Sequence, residues 1–140
     1  MEQETRKPKL LFVEDAIEFR NNLEIVLRKT FDIHTAGDLE TSLNLLEKNH
    51  YDIVSTDGHI PKSPDSCAES YLGNIVARKA KEKGIYVIGL SAEPQKLYEP
   101  NITLGKASLN LIDYITLLQI HAEKNKWDTH TNLSYLSFHK

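Results

Sequence analysis

A single cysteine, Cys67, stands in 140 residues, so no internal disulfide can form. Neither a zinc cage nor a disulfide framework can be assembled around one thiol. This usage points to a reducing compartment. Signals for a membrane are missing as well. The opening Met1-Glu2-Gln3-Glu4-Thr5-Arg6-Lys7 is polar and only a short apolar run follows it, so neither a secretory leader nor a membrane span is expected. A soluble, cytoplasmic protein is the expectation. Positive charge is not concentrated either: 17 Lys and Arg against 20 Asp and Glu leave a formal net charge of -3. The basic residues are scattered, with no footprint for nucleic acid and no polybasic membrane patch. The partner to expect is a protein or a small anion. A chain of this length is one domain that buries roughly two thirds of its unfolded surface.

What is present is an alternation of strand-like and helix-like segments. Leu10-Leu11-Phe12-Val13 is a short continuous apolar run, after which Phe19, Leu23, Val26 and Leu27 share one helical face. Phe31 to Ala36 alternates, and Leu39, Leu43 and Leu46 follow at helical spacing behind Asp38, a natural N-cap. A third strand runs through Ile53 and Val54 to Asp57. A loop with Pro61 and Pro64 then leads to a helix with Leu72, Ile75 and Val76 inward, which Gly84 stops. Ile85 to Leu90 is a fourth strand ending at Ser91, Ile102 to Leu104 a shorter fifth ending near Lys106, and a last helix covers about residues 108–123. Parallel strands need crossover connections, so this order predicts an α/β, doubly wound, five-stranded parallel sheet with helices on both faces. The first, third and fourth segments are richest in continuous apolar residues, as central strands buried on both faces are; the second and fifth alternate, which suits edges. The predicted order is therefore 2-1-3-4-5, the flavodoxin-like arrangement, with its ligand crevice beyond the carboxyl ends of strands one and three.

Glu14, Asp15, Asp57, Ser91 and Lys106 all fall at that edge. Three carboxylates in one crevice repel one another unless a cation is present. Magnesium is the economical answer, since it takes a few oxygen ligands and keeps several waters. With the cation and the Lys106 ammonium neutralising phosphoryl oxygens, Asp57 becomes able to attack phosphorus, while Ser91 donates to the new group. Each residue also has a plainer reading. Asp57 alone is a turn acid, Glu14-Asp15 are acids that favour the start of the next helix, Ser91 ends a strand, and Lys106 is a solvated cation.

Four motifs in order, Leu11-Phe12-Val13-Glu14-Asp15, Asp52 through Pro61, Val87-Ile88-Gly89-Leu90-Ser91-Ala92 and Lys106, give the chain a resemblance to the receiver domains of two-component response regulators. The resemblance covers about residues 9–123. It implies a phosphoacceptor at Asp57, a direct magnesium ligand at Asp15 and one acting through water at Glu14. It further implies a metal ligand in the backbone carbonyl of His59, a hydroxyl switch at Ser91 and a phosphoryl-binding ammonium at Lys106. The donor would be a phosphohistidine on a sensor histidine kinase or a histidine phosphotransfer protein, and the output an altered affinity for a downstream protein target. Such a domain catalyses only its own phosphorylation and dephosphorylation.

The sequence departs from that pattern after Ser91. Only 15 positions separate Ser91 from Lys106, and Pro94 and Pro100 bracket Gln95 to Glu99. A fourth helix is therefore expected to be missing or vestigial. Thr103 stands where receivers tend to carry an aromatic residue, and Ala107 where a proline commonly follows the lysine. These losses favour an alternative, a pseudo-receiver that serves as a constitutive interaction or dimerisation module without phosphorylation. A magnesium-dependent phosphatase is disfavoured because no acid stands two residues beyond Asp57. The receiver domain is drawn at residues 8–123, with 124–140 as a tail. The last helix leaves only a narrow polar stripe at Asn110, Asp113, Thr116 and Gln119, so it needs cover beyond its sheet-facing side. Either the tail, rich in Trp127, Leu133, Tyr135, Leu136 and Phe138, or a second subunit in a homodimer would supply it.

Overall fold

The computed structural model describes residues 6–124. Its elements are β1 (Lys9–Val13), α1 (Ile17–Leu27), β2 (Asp32–Ala36), α2 (Leu39–Lys48), β3 (Ile53–Thr56), β4 (Ile60–Pro61), β5 (Ala68–Ser70), α3 (Gly73–Glu82), β6 (Tyr86–Ser91), β7 (Ile102–Gly105) and a final helix α4 over 111–124. The five long strands form one parallel sheet in the order β2-β1-β3-β6-β7. Counted over those strands alone this is 2-1-3-4-5, the predicted order.

Because strand side chains alternate between faces, the central strands supply two cores. Leu11, Val13, Val54 and Val87 meet Leu46 of α2 and Val76, Ala77 and Ala80 of α3 on one face. Leu10, Phe12, Ile53 and Ile88 meet Leu23 and Leu27 of α1 and Tyr114 and Leu118 of α4 on the other. Two helices thus cover each face. Ser55 brings a hydroxyl into the second core, where it is satisfied by the Tyr114 hydroxyl. Asp38 caps α2 as its position predicts: its Oδ1 accepts from Thr41 N–H at 2.7 Å and its Oδ2 from the Thr41 hydroxyl at 2.8 Å. Gly84 ends the α3 turn at φ 79°, a left-handed conformation that favours glycine.

Two local features differ from the sequence expectation, and a third follows it. The connection between β3 and α3 is more than a loop, since β4 and β5 pair antiparallel as a small two-stranded sheet. Their two and three residues are too short to show a period. The last helix starts at 111, after a single 3-10 turn at Lys106–Ser108. Asn110 acts as its cap, accepting from Asp113 N–H at 3.0 Å through Oδ1, instead of belonging to a polar stripe. Between β6 and β7 the only helical piece is the 3-10 turn Pro94–Lys96, so the fourth helix is vestigial, as the two prolines predict. Leu97 and Pro100 fold back there onto Gly89, where a Cβ would lie 2.7 Å from Leu97 Cδ2 and 2.9 Å from Pro100 Cγ. A glycine on β6 thus lets a short connection seal the core edge that a helix would otherwise cover.

Of α4, Tyr114, Leu118 and Ala122 are buried, while Ile112 and Ile120 are exposed among the described residues. The tail expected to cover them lies, from residue 125 onward, outside the described residues. No described helix is long and apolar enough to cross a membrane.

Candidate functional site

The carboxyl ends of β1, β3, β6 and β7 deliver the predicted residues to one crevice. Parallel pairing fixes this: Val13 stands beside Thr56, and Ser91 beside Gly105, so the residues that follow leave the sheet at one level. Backbone bonds extend the register past the strands, with Asp57 N–H donating to Val13 O at 2.8 Å and Glu14 N–H to Ala36 O at 2.9 Å.

Glu14 and Asp57 are buried and Asp15 is half-buried, and one carboxylate oxygen from each lies within 4.8 Å of the others. Lys106 enters from the far end of β7, its Nζ 2.9 Å from Glu14 Oε1 and 3.3 Å from Asp57 Oδ2. The second oxygen of Asp57, Oδ1, accepts from Gly58 N–H at 2.8 Å. Glu14 Oε2 accepts from Ala16 N–H at 3.2 Å. Among the described residues Glu14 Oε1 has no hydrogen-bond partner beyond this ion pair with Lys106.

Burial, then the neighbouring Glu14 charge, push the Asp57 carboxyl up to about 7, against the opposing pull of Lys106. Burial on its own would lower the Lys106 ammonium, but the carboxylates of Glu14 and Asp57 outweigh it and hold the group above its ordinary value. The internal cation therefore only partly offsets the acids. A buried carboxylate oxygen without a hydrogen bond, inside a trio of carboxylates still short of positive charge, is a donor set that suits a hard divalent cation.

Ser91 is 1% exposed, and its Oγ accepts from Glu93 N–H at 3.1 Å. It faces the backbone just after Asp57, for a Cβ on Gly58 would lie 3.1 Å from that hydroxyl. The His59 imidazole is exposed and packs near Tyr71 at 5.2 Å between ring centroids; its side chain is not part of the acid cluster. Thr103 turns its hydroxyl to Leu97 O at 2.9 Å, closing the β6–β7 connection.

Several supporting residues are not evident from the sequence. Arg20 donates to Glu14 O at 2.8 Å and anchors the β1–α1 turn. Phe19 lies beneath the Lys106 ammonium, 4.9 Å from ring centroid to Nζ. Gly73 begins α3 against the site itself, where a Cβ would come 2.0 Å from Asp57 O. Tyr71 and Glu93 meet across the crevice mouth. Only Gly73 leaves a trace in the sequence, as a glycine at a helix start with no turn to explain it.

No family model matches the sequence, and no curated protein matches it either. Solved structures do match. The signal receiver domain of an HD domain-containing protein from Pseudomonas fluorescens Pf-5 superposes with a TM-score of 0.73 at 22% identity, over 93% of this chain and 97% of that one. The receiver domain of a Francisella response regulator gives 0.67 at 20% identity, over 84% and 98%. The receiver domain of a sensor histidine kinase from Pseudomonas aeruginosa PAO1, which holds a magnesium ion coordinated in its active-site cleft, gives 0.68 at 18% identity, over 84% and 98%. The chain has the fold of receiver domains.

Proposed function

We propose that this chain is a receiver that accepts a phosphoryl group on Asp57 from a phosphohistidine donor. The observation that carries the reading is a buried carboxylate held by the Gly58 N–H and the Lys106 ammonium, next to Glu14 and Asp15 at the sheet's switch point. Asp15, Asp57 and the main-chain carbonyl of His59 would hold magnesium, with Glu14 acting through water. Bound there, the cation neutralises charge on the transferred phosphoryl oxygens.

The remaining work falls to side chains. A carboxylate oxygen of Asp57 forms the new bond to phosphorus as the bond to the donor's imidazole nitrogen breaks, and the electron pair stays on that nitrogen, which takes up a proton. Lys106 draws phosphoryl charge toward β7. Ser91, whose oxygen already accepts from Glu93 N–H, keeps its own proton free to donate to a phosphoryl oxygen. Such transfer depends on positioning and charge rather than on further covalent chemistry. The added charge of roughly -1.5 to -2 then biases the loops around the crevice, and with them the affinity for a cytoplasmic protein target.

The test is mass spectrometry after incubation with acetyl phosphate and magnesium. Wild type gains one phosphoryl group and D57N gains none. Absence of label on wild type, or undiminished label on D57N, overturns the reading. One observation favours the pseudo-receiver alternative: Lys106 already pairs with both Glu14 and Asp57, so the fold carries a counter-ion of its own. Calorimetric titration with magnesium separates the two, since an interaction module held together by Lys106 takes up no cation in the crevice.

A further inference from the structure

Phosphoryl acceptance leaves one cluster at the crevice mouth without a role. The β4–β5 hairpin ends at Tyr71, whose ring lies on Gly58 so closely that a Cβ there would sit 2.8 Å from Tyr71 Cδ1. The same glycine abuts the Ser91 hydroxyl, so Tyr71 and Ser91 share the residue immediately after Asp57. The Tyr71 hydroxyl donates to Glu93 Oε1. Glu93 in turn donates its N–H to Ser91 Oγ at 3.1 Å. Lys96 backs the carboxylate at 3.6 Å and stands 5.6 Å from the Tyr71 ring centroid. Asp57 keeps only 6% exposure beneath this arrangement.

We propose that Tyr71 is a positioning residue for the reaction at Asp57: its hydroxyl clasps Glu93 and holds the segment after β3 against the segment after β6, closing the mouth of the crevice. The role assigned here rests on the phosphoryl-acceptance reading and adds a control on access to it. The clasp joins two backbone segments through one hydrogen bond between surface side chains. It therefore opens readily to admit a donor or the water that hydrolyses the product. A phosphoryl group on Asp57 adds negative charge beside the segments that carry Tyr71 and Glu93, and that charge works against the clasp. The inserted hairpin thus reports the state of Asp57 at the surface.

Tyr71→Phe keeps the ring on Gly58 and removes only the donor. It is expected to raise both the rate of labelling by acetyl phosphate and the rate of label loss by about three- to tenfold, the range of one charge-assisted hydrogen bond near water. In a Glu93→Ala background the same change is expected to have no further effect, because the bond is already gone. An undiminished Tyr71 effect in that background, or unchanged rates in Y71F, overturns the proposal. Hydrogen exchange supplies a readout independent of phosphorylation: without any donor, segments 58–71 and 92–97 exchange faster together in Y71F, while the thermal midpoint stays near that of wild type. If wild type takes no label, phosphoryl acceptance fails and the clasp stands or falls on exchange alone; unchanged exchange in both segments overturns it.

Discussion

Asp57 carries an electrostatic cost in the folded chain that its unfolded form does not. With its carboxyl near 7 when folded, against 3.8 for an unperturbed aspartate, the native state holds a proton that the unfolded state has released across that interval. Stability contributed by this group is therefore greatest near pH 4, falls as the pH rises toward 7 and then levels off. D57N removes the penalty. In metal-free buffer at pH 8 the variant is expected to melt about 5 °C above wild type, and the gap should close toward pH 4. Thermal melts of both proteins between pH 4 and 8 check this; a constant or inverted gap contradicts the burial of charge at Asp57. The acids, Ser91 and Lys106 were legible in the sequence because each ends or follows an apolar run, and a parallel sheet brings such ends together. Tyr71 was not. Its contact with Glu93 spans 22 positions and depends on a hairpin whose strands are too short to leave a pattern.

Among the elements, the connection from β6 to β7 shows what replaces a lost helix. Its shortness was readable from Pro94, Pro100 and the placing of Lys106 only 15 positions after Ser91. Its anchoring was not, because one side chain on another element provides much of it. Asn74, buried in the first turn of α3, donates to Lys96 O at 3.1 Å and accepts from Tyr98 N–H at 2.9 Å and Glu99 N–H at 3.0 Å. Lys81 adds a bond to Glu99 O at 2.8 Å. Asn74→Ala strips partners from three backbone groups at once. Water reaches some of them, so the expected cost is about 2–3 kcal/mol by urea denaturation with the slope unchanged. Loss under about 0.5 kcal/mol would show that Leu97 and Pro100 hold the connection without it. The start of α4 was misplaced for a related reason: Asn110 lies in an amphipathic pattern, and its amide caps the helix rather than joining its polar face.

For the whole molecule, the five-strand order followed from composition because burial on two faces favours continuous apolar residues, in which the first, third and fourth segments are richest. Divalent cation is the variable that acts on the entire fold. Magnesium at a hundredfold excess over its dissociation constant is expected to stabilise wild type by about 2.7 kcal/mol, a rise of several degrees in Tm, and the effect should weaken below pH 7 as protons compete for Asp57. Calcium-free melts with and without magnesium at pH 6 and 8 measure it, and a Tm that does not move at pH 8 contradicts a cation site among Glu14, Asp15 and Asp57.

The position of Lys106 also bears on how the chain matures. Glu14, Asp15 and Asp57 emerge from the ribosome long before the lysine that pairs with two of them. Strand β1 pairs with both β2 and β3, but the acids at their ends do not meet Lys106 until β7 has been synthesised and docked at the sheet's far edge. The order of synthesis therefore makes the last strand the step that brings the Lys106 ammonium to the cluster. A nascent chain paused before it would have only protons or solution cations to offset those carboxylates as they come together.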